Sequence, residues 1–279
     1  MRLELKATPE EVMRAVDALQ SFAQTKNLPC KTIFDLALAL EESASNIVNH
    51  ALCRDAQRSF QVALQHGEDA FVIELRDSGP EFDPTAVADR ELRAADEDCP
   101  GGWGIPLVRR FLDEIHYRRD AGENVLRLIK RLAPDGSQCI STSNQTHKTK
   151  INMALGIRIH KSVGGHDDSR VTVELSGSLD TVTAPDLEHD LAPVLAGPVK
   201  DLVFDLAALK FISSAGLRVF SVARKTLKER GGQTSFIHLQ PQIQEVFEIM
   251  KSLPGVAVFK DVAEMDRYLA ARQHAHSEG

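Results

Sequence analysis

The chain has 279 residues, a formal net charge of −7 and an ordinary soluble-protein composition. That length suggests two domains, each able to bury its own core, and the acidic balance argues against bulk attraction to nucleic acid. No apolar run of membrane-spanning length and no signal peptide is read, so a cytoplasmic protein without direct nucleic-acid or membrane partners is expected. The four cysteines, Cys30, Cys53, Cys99 and Cys139, lack metal-ligand spacing and are expected as reduced thiols.

Pro9 to Thr25 is predicted to be an amphipathic helix. Thr8 is its cap, Pro9 its first residue, and Glu11 follows three residues after the cap. Leu28 to Cys53 holds a second helix, whose stretch Leu40 to Ala51 reads LEESASNIVNHA. Glu42 and Asn46 are four apart, with Asn49 and His50 one turn further on, and helical spacing stacks them along one face. Ile33, Leu36, Leu40 and Ile47 form an apolar flank. A Glu at such an edge accepts a proton, and an Asn carbonyl is a hard oxygen ligand for Mg²⁺. The same pattern also suits an ordinary solvated face.

Ser59 to His66 and Ala70 to Asp77 read as strands joined by a Gly-containing turn. The next segment, Arg76 to Pro84, is RDSGPEFDP. A carboxylate at the strand end, Asp77, can accept a hydrogen bond from an exocyclic amine. Gly79 lets backbone approach a flat ring, although D-S-G-P is also plain turn chemistry. Ala86 to Pro100 is long and polar, either a lid or an exposed acidic loop. Gly101 to Phe111, GGWGIPLVRRF, sets glycines 101, 102 and 104 before a helix, an arrangement that suits phosphate. Trp103 either covers a nucleotide or packs. A helix is predicted over Leu107 to Ile115. Strands follow at His116 to Arg119 and Val125 to Leu132, around an Ala121-Gly122 turn. The first half is thus an α+β fold with helices on one face of an antiparallel or mixed sheet.

Residues 133–152 are polar and without periodicity and read as a flexible linker, which divides the chain into 1–132, 133–152 and 153–279. After a beta-like stretch at Gly156 to Lys161, the second half alternates. Strands are predicted at Arg170 to Ser176, Asp201 to Asp205 and Gln233 to His238. Helices are predicted at Ala184 to Leu195, Ser214 to Arg230, Pro241 to Ser252 and Val262 to Arg272. An α/β sheet covered by helices is expected. Between Asp205 and the following helix, a connection presents Ser213 and Ser214 ahead of Gly216. A serine there is a good helix cap, and a phosphate there would meet free N–H groups and the positive end of the dipole.

Four boxes, E-x-x-x-N at Glu42, D-x-G-x-x-F-D-P at Asp77, G-G-x-G-I-x-L-V at Gly101 and NVLRLIKRL at Asn124, occur in that order. Over about Leu3 to Leu132 the chain resembles the GHKL (histidine-kinase-like) ATPases, and within them the anti-sigma-factor serine kinases of bacterial partner switching. The resemblance implies ATP and Mg²⁺ as cofactors. It implies Glu42 as the catalytic carboxylate, Asn46 as the Mg²⁺ ligand, Asp77 as reader of the adenine amine with Gly79 beside it, and Gly102 and Gly104 along the phosphates. Asn124 stands where relatives often carry a Thr that helps bind adenine through water.

LSGSLDTVTAPDLE, Leu175 to Glu188, and VFDLAALKFISSAGLRVF, Val203 to Phe220, resemble the STAS domain of anti-sigma-factor antagonists over about Ile157 to Leu269. That resemblance implies Ser214 as phosphoacceptor, with Ser213 where many relatives carry Asp. Asp205 and Asp180 are candidate neighbours, Asp180 chiefly as a turn cap.

Together these imply a serine kinase fused to an antagonist, acting on Ser214 of its own or another STAS domain. The implied partners are a sigma factor or a separate antagonist, with a homodimer as the implied assembly. A linker of this length spans about 25 Å and gives an effective concentration around mM, so transfer in cis or in trans is open. The alternative is a non-catalytic switch in which the STAS domain docks on and regulates a nucleotide- or protein-binding domain.

Overall fold

A computed structural model of the chain describes residues 1–87, 102–132, 154–161, 170–250, 257–265 and 267. The expected lid over 86–100, apart from its first two residues, lies outside them, as do Gly101, the linker 133–152, Cys99 and Cys139. Cys30 and Cys53 are exposed free thiols. The chain divides into two compact units, Met1–Asn152 and Met153–Gly279.

The first unit is a five-stranded sheet in the order β1-β2-β3-β5-β4, every neighbour antiparallel. Its strands are β1 (Arg2–Lys6), β2 (Ser59–His66), β3 (Ala70–Asp77), β4 (Glu114–Asp120) and β5 (Glu123–Arg131). The helices are α1 (Pro9–Thr25), α2 (Cys30–Asn46) and α3 (Gly104–Phe111). Phe60, Val62, Leu64, Phe71, Ile73 and Leu75 are buried in alternation along β2 and β3. The intervening Glu74 and Arg76 pair with each other at 2.9 Å on the other face, an apolar-in, polar-out strand pattern.

Thr8 caps α1 by accepting the Glu11 N–H, while the Glu11 carboxylate reaches back to the Lys6 N–H and pairs with Arg14. Hydrogen bonds from Arg14 hold the Glu11 carboxyl below its ordinary value of 4.5. This brace is therefore present above that value and is lost as pH falls through the lowered folded-state value.

Three features differ from the sequence expectation. β1 was not anticipated, although RLELK alternates charged and apolar residues, because the run is only five residues long. The helix expected over Leu107 to Ile115 begins at Gly104 and ends at Phe111, and Glu114 already starts β4. Leu112 is extended (φ −113°, ψ 157°), and its burial suited either reading. Finally, α2 passes at Ile47 into a π-helical turn, Ile47–Ala51. The wider turn breaks 3.6-residue stacking, so Asn49 and His50 do not continue the row of Glu42 and Asn46. Asn49 instead accepts from Arg54 Nε at 2.7 Å.

The second unit is a mixed sheet in the order β10-β9-β8-β7-β6. β6 (Gly156–Lys161) is antiparallel to β7 (Arg170–Leu179); β8 (Asp201–Ile212), β9 (Gln233–Ile237) and β10 (Ala257–Phe259) run parallel to it. Its helices are α4 (Ala184–Ala196), α5 (Ser214–Lys228) and α6 (Pro241–Met250). Residues 262–265 are helical, and most of the helix expected beyond them lies outside the described residues. β10 was missed for its brevity. β8 does not stop at Asp205 but continues to Ile212, with register shifts against β7 near Ser176 and Ser178.

The core of this unit is a cluster of phenylalanines. Phe236 stacks on Phe204 at 5.4 Å and meets Phe220 and Phe247 edge-on at 5.1 and 4.9 Å. Phe236→Ala removes the shared ring and is expected to cost about 3–5 kcal/mol, measured as lost hydrogen-exchange protection in β8 and β9.

Candidate functional site

In the first unit, α2 delivers Glu42 into the interior. Glu42 is 2% exposed, so it does not belong to a solvated face, while Asn46 one turn later is half-buried. α3 packs its first residue against both. A Cβ at Gly104 would lie 2.8 Å from Glu42 Oε2 and 3.7 Å from Asn46 Nδ2, so only glycine fits without displacing the carboxylate. Gly102 is exposed and has φ +91°, a left-handed conformation that glycine adopts at little cost. Trp103 occupies the cap position of α3 without a side-chain cap bond and is buried, so its ring packs. The first turn of α3, which receives no cap bond from the Trp103 side chain, sets the positive dipole end beside the Glu42/Asn46 edge, which suits a carboxylate or a phosphate.

The π-helical turn links this edge to the end of β3. A Cβ at Gly79 would fall 2.6 Å from Ala51 Cβ and 2.8 Å from Asp77 Oδ1. Gly79 is therefore required first by protein packing. The turn after Asp77 is stitched from three directions: Arg58 donates to Ser78 O at 3.0 Å, Arg119 to Gly79 O at 2.9 Å, and Asn124 to Pro80 O at 2.9 Å.

Asp77 is 6% exposed. Its Oδ1 accepts from Gly79 N–H at 2.8 Å and from Asn124 Nδ2 at 2.9 Å. Asn124 lies directly opposite Asp77 across β3–β5 and opposite Arg119 across β5–β4. Its Oδ1 accepts from Tyr117 Oη at 2.8 Å and Arg119 Nη1 at 2.6 Å. With two bonds donated and two accepted, the Asn124 amide is saturated by protein. Tyr117 and Arg119 were missed in the sequence. The Ala121-Gly122 turn held the signal: both residues have positive φ, +48° and +88°, as a two-residue hairpin requires, and that loop length alone pairs Arg119 with Asn124.

The structure thus gathers Glu42, Asn46 and Gly104 at one edge and Asp77, Gly79 and Asn124 at the adjoining strand end. Ser214 belongs to the second unit. It is the first residue of α5, not its cap; that position is Ser213, whose side chain makes no capping bond. Ser213 Oγ is buried without a partner among the described residues, whereas Ser214 is half-exposed. A Cβ at Gly216 would meet Leu179 Cγ at 2.6 Å, so glycine lets the start of α5 seat on the end of β7. Asp180 follows Leu179, whose carbonyl accepts the Ser213 N–H at 3.0 Å. It caps its own turn, accepting from Val182 and Thr183 N–H. Asp205 is not a neighbour of Ser214. It sits mid-strand bonded to His238 at 3.0 Å, on the order of 20 Å along β8 from Ile212.

No helix of the described residues is long and apolar enough to cross a membrane. Residues 5–130 match the family model of the histidine kinase-like ATPase domain, and residues 160–265 match that of the STAS domain. The chain is 30% identical over 134 residues to the serine/threonine-protein kinase BtrW of Bordetella bronchiseptica, an alignment that spans 48% of this chain and 94% of that protein. It is 37% identical over 82 residues to the anti-sigma factor antagonist BtrV of the same organism, spanning 29% of this chain and 71% of BtrV. The serine-protein kinase RsbW of Listeria monocytogenes is 28% identical over 149 residues, spanning 50% of this chain and 94% of RsbW.

Gly79→Ala forces a methyl onto Ala51 and its carbonyl, and is expected to lower the stability of the first unit by about 1–3 kcal/mol in thermal denaturation.

Proposed function

Since the chain belongs to the histidine kinase-like ATPase family in its first half and to the STAS family in its second, we propose that it is an ATP-dependent serine kinase whose protein substrate is Ser214 of a STAS domain, its own or that of another copy. The observation that carries this reading is the close approach of Gly104 to Glu42 and Asn46 at the start of α3.

In this reading Glu42 takes the proton of the serine hydroxyl. The Ser214 oxygen bonds to the γ-phosphorus of ATP, the bond to the β–γ bridging oxygen breaks, and ADP leaves. The first-turn N–H groups of α3 and the backbone at Gly102 and Gly104 hold phosphate oxygens, and the Asp77 carboxylate accepts from the adenine amine. Mg²⁺ suits this donor set, because it usually keeps one or two protein oxygens beside substrate phosphates. Asn46 would hold it, and the ion would supply neutralisation of charge on the phosphates.

Exposure favours Ser214 over the buried Ser213 as acceptor. Phosphate on the first residue of α5 would meet the helix dipole and add negative charge to the antagonist surface, which alters docking of a partner such as a sigma factor or a separate antagonist.

Glu42→Gln is expected to slow phosphorylation of Ser214 by about 10²–10⁴-fold with Mg-ATP, because the general base is lost. Phosphopeptide mass spectrometry reads it, with Ser214→Ala as the control that removes the modified peptide. Unimpaired labelling of Ser214 in Glu42→Gln would refute the role of this carboxylate.

A further inference from the structure

The saturated Asn124 amide carries an inference that rests on the base-reading role proposed for Asp77. Arg119 is only a donor, and an ionised Asp77 carboxylate is only an acceptor. Asn124 can satisfy both in one orientation, with Oδ1 toward Arg119 and Tyr117 and Nδ2 toward Asp77 and Pro80. The strand register enforces this, since Asp77, Asn124 and Arg119 stand side by side on three adjacent strands and Tyr117 lies diagonally beside Asn124. Asn124 therefore has no free site for a nucleotide or its water. Asp77 in turn commits Oδ1 to Gly79 and Asn124, which leaves Oδ2 without a partner among the described residues on a side chain more than nine-tenths buried.

We infer that Tyr117, Arg119 and Asn124 form a hydrogen-bond relay that positions Asp77 for purine selection: it occupies Oδ1 and presents Oδ2 as a lone acceptor. An amine at purine carbon 6, as in adenine, donates to that oxygen. A carbonyl there, as in hypoxanthine or guanine, faces it acceptor to acceptor. Asn124 is a positioning residue, and the relay determines base specificity without touching the base.

The test compares binding of ATP and of inosine triphosphate, which has a carbonyl in place of that amine and a proton on N1, to the full chain by calorimetry with Mg²⁺. Asn124→Leu and the double variant Tyr117→Phe/Arg119→Met are each expected to lower the preference for ATP over inosine triphosphate by about tenfold, the worth of one charge-assisted hydrogen bond. Affinity for inosine triphosphate should move less than about twofold, and Arg119→Lys, which keeps a donor, should retain the preference. Tyr117→Phe alone removes one hydroxyl from a half-exposed residue and serves if the others fail to fold; its expected loss is about threefold. Equal weakening of both nucleotides, or an unchanged preference, would overturn the relay. Asp77→Asn separates the two claims. If it abolishes the preference while the relay variants keep it, the relay alone falls; if Asp77→Asn keeps the preference, base reading by Asp77 falls and the relay with it.

Discussion

The row Asp77–Asn124–Arg119 across β3, β5 and β4 is the constraint on which the first site depends. Burying a carboxylate and an amide is costly for each polar atom left unpaired; here the Asn124 amide is saturated and Asp77 Oδ1 is bonded twice. The antiparallel register of β3 and β5 sets them face to face, and the two-residue turn at Ala121-Gly122 fixes the β4–β5 register that puts Arg119 beside Asn124. The same side chains reach on to the carbonyls of Gly79 and Pro80, so the turn after β3 is held by the sheet itself. Geometry at the strand end is therefore a consequence of pairing rather than of loop sequence.

Both units use the start of a helix, and in both a glycine makes the approach possible. Gly104 brings α3 onto Glu42, and Gly216 brings α5 onto Leu179 at the end of β7. A side chain at either position would push the first turn away, and with it the N–H groups and dipole that favour negative charge. The helix starts differ in what occupies them. At α3 a buried carboxylate is already present, whereas at α5 two serines stand, one buried and one half-exposed. Accessibility distinguishes Ser214 from Ser213, two residues of identical chemistry.

Much of this was legible beforehand. The strands Ser59–His66 and Ala70–Asp77 and the helix Pro9–Thr25 agree with prediction to the residue, because apolar alternation and a Thr-Pro-x-Glu start are local signals. What failed was local structure shaped by distant contacts. The π-helical turn after Asn46 follows no sequence period, and it displaced Asn49 and His50 from the expected row. β8 ran on past Asp205 because pairing with β7 continues to Ile212, which removed Asp205 from the neighbourhood of Ser214.

The amino-acid sequence by itself determined the residue types and their order: a Glu and an Asn one helical turn apart, an Asp before a glycine turn, glycines before a helix, and a serine pair before another. These depend on spacing along the chain, which helix and strand periods convert directly into shared faces. Only the tertiary structure decided which of those groups meet and what each has left to offer. Glu42 is buried against Gly104, Asn124 is consumed by its strand neighbours, and Ser214 is half-exposed while Ser213 is buried. Burial and hydrogen-bond capacity are set by residues far away in sequence, so no local pattern could specify them.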